Sequence, residues 1–293
     1  MRSMIIHGGA WNIPKNLETP HLNGVREACK IGRDALLDGK RSTDAITESL
    51  VLLEEDDTFD AGRGSFLNSV GMVELDAGMM EGSEQNFASV GSVSKIRNPI
   101  ILCKMMLERS PNKLLVCEGA HRYAESVGML LIDNTDLVIE RERRRYEKAA
   151  GNVESYFSPS DTVGAVALDG EGTIATGNTT GGTPGKLPGR IGDSPLVGCG
   201  IYAGRTAGIA TTGLGEPIIK TALAKTIYEH HSRNADIGEA ARYGIEKLSR
   251  YGWGGVIALD NDGNHAAEHN TEKMPFAYWN EEDDKIIVKI RKE

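Results

Sequence analysis

The chain has 293 residues, and 33 Lys+Arg against 42 Asp+Glu leave a net charge of −9 at pH 7. That balance excludes the basic field on which sequence-independent phosphate binding depends, so nucleic acid is not an expected partner. No stretch approaches the roughly 18 consecutive apolar residues that span a bilayer, and MRSMIIHGGAWNIP lacks the apolar run of a signal peptide, which predicts a cytoplasmic protein with no membrane association. Cys29, Cys103, Cys117 and Cys199 form no C-x-x-C pair, so buried thiols are expected rather than a zinc site or a disulfide framework. Glycine is high, at 35 residues or about 12% against a usual ~7%, which points to close backbone approaches.

Met4 to Ile6, running into His7, Gly8 and Gly9, reads as a short buried strand closed by a glycine turn. Val25, Ala28, Cys29, Ala35 and Leu36 fall near helical spacing, and Gly39 is placed to stop that helix. Ser42 or Thr43 is the expected cap of the next, whose apolar positions Ala45, Ile46, Leu50, Leu52 and Leu53 run into the acidic Glu54 to Asp57. Phe66 to Leu75 and Phe87 to Ile96 are predicted strands. Asn98 as cap and Pro99 in the first turn predict a helix over Ile100 to Leu107. Between residues 133 and 161 the character changes, and ERERRRYEK, Glu140 to Lys148, predicts a solvated helix or a mobile linker.

Thr162 to Leu168 and Thr173 to Thr176 flank the turn Asp169 to Gly172 as a hairpin. A glycine-rich loop, Gly181 to Gly192, leads to a strand at Gly208 to Thr212. Two helices, Pro217 to His231 and Ile237 to Ser249, precede a strand at Val256 to Leu259, a turn at Asp260 to Gly263 and a last strand at Ile286 to Ile290. Strands cluster and then helices cluster in each half, which favours antiparallel sheets covered by helices over a βαβ succession.

HAAEH, His265 to His269, matches the H-x-x-E-H zinc pattern, which needs a helix to bring both imidazoles onto one face. It follows the turn DNDGN, so a strand is expected, and a strand separates the two histidines by roughly 13 Å. DNDGN begins like a calcium loop but has Thr271 where the twelfth-position glutamate belongs, so a plain turn is expected. GIATT running into GLGEP lacks the third glycine of a dinucleotide fingerprint, while an oxyanion-binding turn needs only one or two of its N–H groups. Thr162 opens a strand directly after the polar SPSD. Asn178, Thr179 and Thr180 close the partner strand, and KLPGRIGDSP puts Arg190 and Asp193 three residues apart on a glycine-rich loop. Such a pair suits the zwitterionic head of an amino acid, with a structural salt bridge as the equal alternative.

DTVGAVALD, GNTTGGTPGKLPGRIGDSPLVGCGIYA and TTGLGEP together resemble the threonine-nucleophile, N-terminal-nucleophile hydrolases of the plant-type asparaginase and isoaspartyl peptidase family. IIHGGAW, FDAGRGSFLNSVGMVELDAGMMEG, KIRNPI and NTEKMPFAYW extend the likeness over essentially the whole chain. The resemblance implies an α+β fold, a four-layer αββα sandwich in a single domain. It also implies a precursor that cuts itself between Asp161 and Thr162 into pieces 1–161 and 162–293, with 133–161 as the linker before the cut. By the same likeness, Thr162 is the nucleophile, Thr180 its hydroxyl partner, Arg190 the holder of the substrate α-carboxylate and Asp193 of its α-ammonium. Thr212 and the Gly213 N–H form the oxyanion hole, and Gly215 lines the substrate site. No organic cofactor is implied. The loop from Leu53 to Arg63 resembles one that often carries a monovalent cation on backbone carbonyls, and the assembly implied is a homodimer of cleaved protomers.

The activity implied is hydrolysis of L-asparagine to L-aspartate and ammonia, or of isoaspartyl dipeptides. Asp161 stands where asparaginases usually have glycine, and an Asp-Thr junction resembles glycosylasparaginases, whereas KLPGR resembles the asparaginase side. Asp60 replaces the asparagine of a common F-N-A-G and Glu81 the aspartate of M-D-G. Asp60 has two readings: an ionised neighbour that raises the pKa of the Thr162 amine, or a brace within its own loop. A non-catalytic anion- or nucleotide-binding protein built on the GLGEP turn is the alternative from another class.

Overall fold

Strand β1 (Ser3–Gly8) is buried along its whole length, so both of its faces need cover. A computed structural model describes residues 1–149 and 161–291. Among the described residues the larger sheet has the order β12-β11-β1-β5-β6-β2-β3-β4. Its strands are β2 (Leu75–Glu81), β3 (Asn86–Val93), β4 (Leu114–Val116), β5 (Val163–Leu168), β6 (Ile174–Thr180), β11 (Phe276–Asn280) and β12 (Ile287–Lys289). The smaller sheet, β10-β9-β8-β7, is built from β7 (Ile201–Ala203), β8 (Ala207–Gly213), β9 (Gly254–Asp260) and β10 (His265–His269). Pairing is antiparallel throughout except between β3 and β4, as the clustering of strands in the sequence predicts.

The period-2 alternation of side chains divides each strand between two cores. Met4 and Ile6 of β1, with Ala165 and Ala167 of β5, pack against Val25 and Leu36 of α1 (Lys15–Leu37) and Ile46 and Leu50 of α2 (Ser42–Glu55). Ile5, Val166, Leu168 and Ile174 face the other way and meet Ala210, Ile257 and Leu259 of the smaller sheet. Val256 and Ala258 then pack on α7 (Leu223–His231) and α8 (Ile237–Leu248). The sheets lie so close that a Cβ on Gly208 would stand 2.6 Å from Val166 Cγ1, which explains a glycine in a buried strand.

Several sequence expectations are corrected. Residues 66–74 are not a strand. Their backbone is satisfied by side chains instead, since Asn68 Oδ1 accepts from Val70 and Met72 N–H, and Asn134 takes both the N–H and the carbonyl of Val73. The predicted helix 217–231 breaks into α6 (Gly215–Thr221) and α7 at Ala222, whose φ of 43° is left-handed. Ser42 lies inside α2 rather than capping it, and its N–H donates to Asp169 Oδ2 at 2.9 Å. Asn98 makes no cap bond to α3 (Pro99–Arg109); its amide binds Glu55. Cys117, at the start of α4 (Cys117–Ser126), is exposed rather than buried.

Of the segment 133–161, residues 134–136 form a 3-10 turn and Glu140–Ala149 a helix, α5, while 150–160 lie outside the described residues. Helix α5 is anchored by the fully buried Glu142, which pairs with Arg141 at 2.7 Å and Arg145 at 3.1 Å. HAAEH is strand β10, and Asp260 closes the DNDGN turn by accepting from Asp262 and Asn264 N–H. No helix among the described residues is long and apolar enough to cross a membrane.

Candidate active site

Thr162 immediately precedes β5, and Val163 pairs with Thr179 of β6, so Thr162 and Thr180 sit at adjoining ends of one two-strand ladder. Thr162 Oγ1 donates to Thr180 Oγ1 at 3.1 Å, and the Gly182 N–H donates to that same Thr180 oxygen at 2.9 Å. Both threonines are buried. Side chains on the inner face of β6 then reach across to β8: Thr176 Oγ1 donates to the Ile209 carbonyl at 3.0 Å and Asn178 Nδ2 to that of Thr211 at 2.8 Å. Thr180 and Gly213 are the last residues of β6 and β8, each two residues beyond the Asn178–Thr211 contact.

Thr212 is fully buried, and its hydroxyl finds no partner among the described residues. An unmade hydrogen bond at such a site costs ~1 to 3 kcal/mol, a penalty that a bound oxygen would relieve. Gly213 has a φ of 134°, and a Cβ there would lie 2.4 Å from Gly254 Cα, so only glycine fits.

Asp76 of β2, opposite Thr180, ties the glycine-rich loop to the sheet by accepting from Ser92 N–H at 2.8 Å and Gly192 N–H at 3.1 Å. Glu74 braces the same loop through Gly189 N–H, and Lys186 Nζ donates to the Glu74 carbonyl at 2.8 Å. At its end Asp193 is buried, and Oδ2 accepts the Thr211 hydroxyl at 3.0 Å. Burial pushes the Asp193 carboxyl up to about 6, against the opposing Thr211 hydrogen bond. Arg190 and Asp193 converge on Gly215, where a Cβ would stand 2.7 Å from Arg190 Nη2 and 3.2 Å from Asp193 Oδ1.

The alternative in which Arg190 and Asp193 form a salt bridge is not what the structure has: the guanidinium bonds Glu216, Nε at 3.0 Å and Nη2 at 2.9 Å. Glu216 spans one edge of the fork, and Nη1 turns toward Gly192. An acid directly after Gly215 in GLGEP was the available signal for this contact.

Sequence reasoning also missed what holds Asp161. Its Oδ1 accepts from Trp11 Nε1 at 3.1 Å and its Oδ2 contacts His21 Nε2 at 2.9 Å. Gly9, with a φ of 86°, packs so tightly that a Cβ would lie 2.1 Å from Asp161 Oδ1. His7 is buried and its pKa falls to about 3, chiefly because burial disfavours the charge; Gly9 N–H donates to its Nδ1 at 3.3 Å.

Asp60 is buried and serves its loop, with Oδ1 accepting from Phe66 N–H at 2.8 Å and its carbonyl from Gly181 N–H at 2.9 Å. Burial raises its carboxyl well above the usual range, with the Asp161 charge adding to the effect against the opposing Phe66 N–H bond. Glu54, fully buried under Thr179, is raised by burial to about 8. Glu81 only closes the β2–β3 turn through Ser83 N–H at 2.6 Å. Among the described residues no three His, Cys, Asp or Glu side chains group as a metal site.

A family model described as asparaginase matches residues 1–288. An isoaspartyl peptidase/L-asparaginase of Xenopus laevis is 37% identical over 94% of this chain and 91% of its own length. The Homo sapiens protein of that name is 36% identical over 94% and 92%. A plant-type L-asparaginase of Pyrococcus abyssi is 36% identical over 96% and 97%. A match of this extent, over nearly the whole chain, shows that the protein belongs to the asparaginase family of hydrolases.

Proposed function

We propose that the protein is a self-processing amidohydrolase that converts L-asparagine to L-aspartate and ammonia and splits isoaspartyl dipeptides, with Thr162 as nucleophile. The observation that carries this reading is the buried Thr162–Thr180 hydroxyl pair at 3.1 Å, with Arg190 and Asp193 converging on Gly215 at the end of the loop that Asp76, opposite Thr180, ties to the sheet. The fold in this reading is the four-layer αββα sandwich of N-terminal-nucleophile hydrolases, which the helices packed on both sheets support, and the active assembly is a homodimer of cleaved protomers.

In the uncut chain the Thr162 nitrogen is an amide and no base. Thr162 Oγ adds to the Asp161 carbonyl carbon, its proton passes to the Thr162 nitrogen as the C–N bond breaks, and an ester results. Water splits that ester into the Asp161 α-carboxylate and a free Thr162. The released α-amine, with an ordinary pKa of about 7.7 to 8.0, then takes the Oγ proton when the substrate β-amide is attacked. Thr212 and the Gly213 N–H stabilise the oxyanion.

A monovalent cation on backbone carbonyls of the Leu53 to Arg63 loop belongs to this reading and is supported by two carbonyl oxygens, of Asp57 and Phe59, lying 3.2 and 2.8 Å from where a Gly64 Cβ would be. Such an ion would stiffen the loop behind Thr179 to Gly181. The test of the substrate reading is ammonia release from asparagine and aspartate release from an isoaspartyl dipeptide, set beside hydrolysis of glycosylated asparagine. The Asp161–Thr162 junction favours the last as the second reading, and turnover of glycosylated asparagine alone would select it.

Arg190→Lys keeps the charge but loses the planar fork, so KM for asparagine should rise about tenfold or more while self-cleavage proceeds, since the uncut chain offers no free α-carboxylate there. An unchanged KM would remove Arg190 from the substrate site. Asp193 must be ionised to hold an ammonium. The Thr162 amine alone makes kcat/KM fall about tenfold per pH unit on the acid side, and with the Asp193 carboxyl raised to about 6 the fall should steepen to about a hundredfold per unit below that value. In Asp193→Asn this steepening should vanish along with most of the affinity. Asp60 is spent on its own loop, so the rising limbs of kcat against pH should superimpose for wild type and Asp60→Asn. Separated limbs would mean that Asp60 is ionised beside the amine.

A further inference from the structure

Asp161 is gripped by groups that neither the hydrolysis of substrate nor the oxyanion hole uses. His21 lies on α1, 140 residues away in sequence, its ring fully buried between Trp11 and Phe59 with centroid separations of 6.2 and 5.1 Å. Its two nitrogens both face acceptors: Nδ1 meets the Leu17 carbonyl at 2.7 Å and Nε2 meets Asp161 Oδ2 at 2.9 Å. A carbonyl can only accept, so Nδ1 carries a proton, and Nε2 faces the Asp161 carboxyl. Burial pulls the His21 pKa down, but the Asp161 charge, its hydrogen bond and the Leu17 carbonyl outweigh burial and raise it, with Asp56 adding to the effect. The other carboxylate oxygen is taken by Trp11 Nε1 at 3.1 Å. Gly9 closes the third side, 2.8 Å from Asp161 Cα at its Cβ position.

We propose that Trp11 and His21 form a carboxylate cradle that positions Asp161 for cleavage of the Asp161–Thr162 bond. Thr180 fixes the nucleophile on one side of that bond, and the cradle fixes the carbonyl-bearing residue on the other. Where glycine precedes the threonine there is no side chain to place. Aspartate introduces a buried charge next to the bond, and an unpaired buried charge would either pull the segment toward solvent or turn the carbonyl from the hydroxyl. The cradle satisfies both oxygens of that carboxylate. His21 and Trp11 are thus positioning residues for processing rather than groups that touch the reacting atoms, and the inference rests on the processing reading above.

The experiment follows self-cleavage of freshly purified full chain by intact mass over time, with thermal unfolding of each substitution in the uncleavable Thr162→Ala background as the folding control. His21→Leu removes the donor and should slow cleavage about tenfold to hundredfold, the scale set by misplacement of reacting groups by an ångström. His21→Gln keeps a donor near the Nε2 position and should recover most of the rate. Trp11→Phe, which removes only the indole N–H, should slow it by about threefold to tenfold. In an Asp161→Gly background His21→Leu should change nothing, because the carboxylate it serves is gone.

Wild-type cleavage rates in His21→Leu and Trp11→Phe would overturn the proposal. So would a His21→Leu defect of equal size with glycine at 161, which would mean a purely structural role. Failure of the underlying processing reading is seen separately, in the wild-type arm: a terminus other than Thr162 contradicts both.

Discussion

Thr162→Ala should abolish chain cleavage and substrate hydrolysis together, because both use the same hydroxyl. The substitution removes one oxygen and one methyl from a buried residue whose hydroxyl bonds Thr180, so the fold should survive with a loss of about 1 kcal/mol. The chain should run as one piece of 293 residues and release no ammonia from asparagine. Thr162→Ser tests the same point from the other side: it keeps the oxygen and should retain both reactions at reduced rate. Residual hydrolysis by purified Thr162→Ala above the uncatalysed background would assign the nucleophile elsewhere.

Thr212→Val should lower kcat by ~100 to 1000-fold, the usual cost of losing one oxyanion donor. The replacement is nearly isosteric, and the Thr212 hydroxyl has no protein partner among the described residues to lose. Unlike most polar-to-apolar changes in a core, this one should therefore raise the melting temperature or leave it unchanged, since it removes an unsatisfied buried group. A lower kcat with unreduced stability is the signature of a hydroxyl held for the transition state. Full kcat in a stable Thr212→Val would remove Thr212 from the hole and leave the Gly213 N–H alone there.

Most of the site was legible in the sequence because its parts are local motifs: Thr162 at a strand start, Thr180 at the end of the partner strand, Arg190 and Asp193 on one loop. The hairpin β5–β6 was legible for the same reason, from its turn at Asp169 to Gly172. What escaped were contacts between distant segments. Nothing within SPSDT says that Trp11 and His21 lie against Asp161, and nothing in KLPGR says that Glu216 spans Arg190. Residues 66–74 misled because Phe66, Leu67 and Val73 are apolar and buried like a strand. Asn68 and Asn134 satisfy that backbone with side chains, a tertiary arrangement that local pattern does not encode. The Asp60 readings were separated only by its burial and its bond to Phe66 N–H, which make it a brace within its loop.

The account turns on a free N-terminal threonine made by the protein from its own chain. Intact mass and N-terminal sequencing of the purified, catalytically active enzyme test this most directly. The expected result is two pieces of 161 and 132 residues, the second beginning Thr-Val-Gly-Ala, with hydrolysis of asparagine or an isoaspartyl dipeptide rising in step with their appearance. Full activity in a preparation that remains a single uncut chain, or a new terminus at any residue other than Thr162, would contradict it.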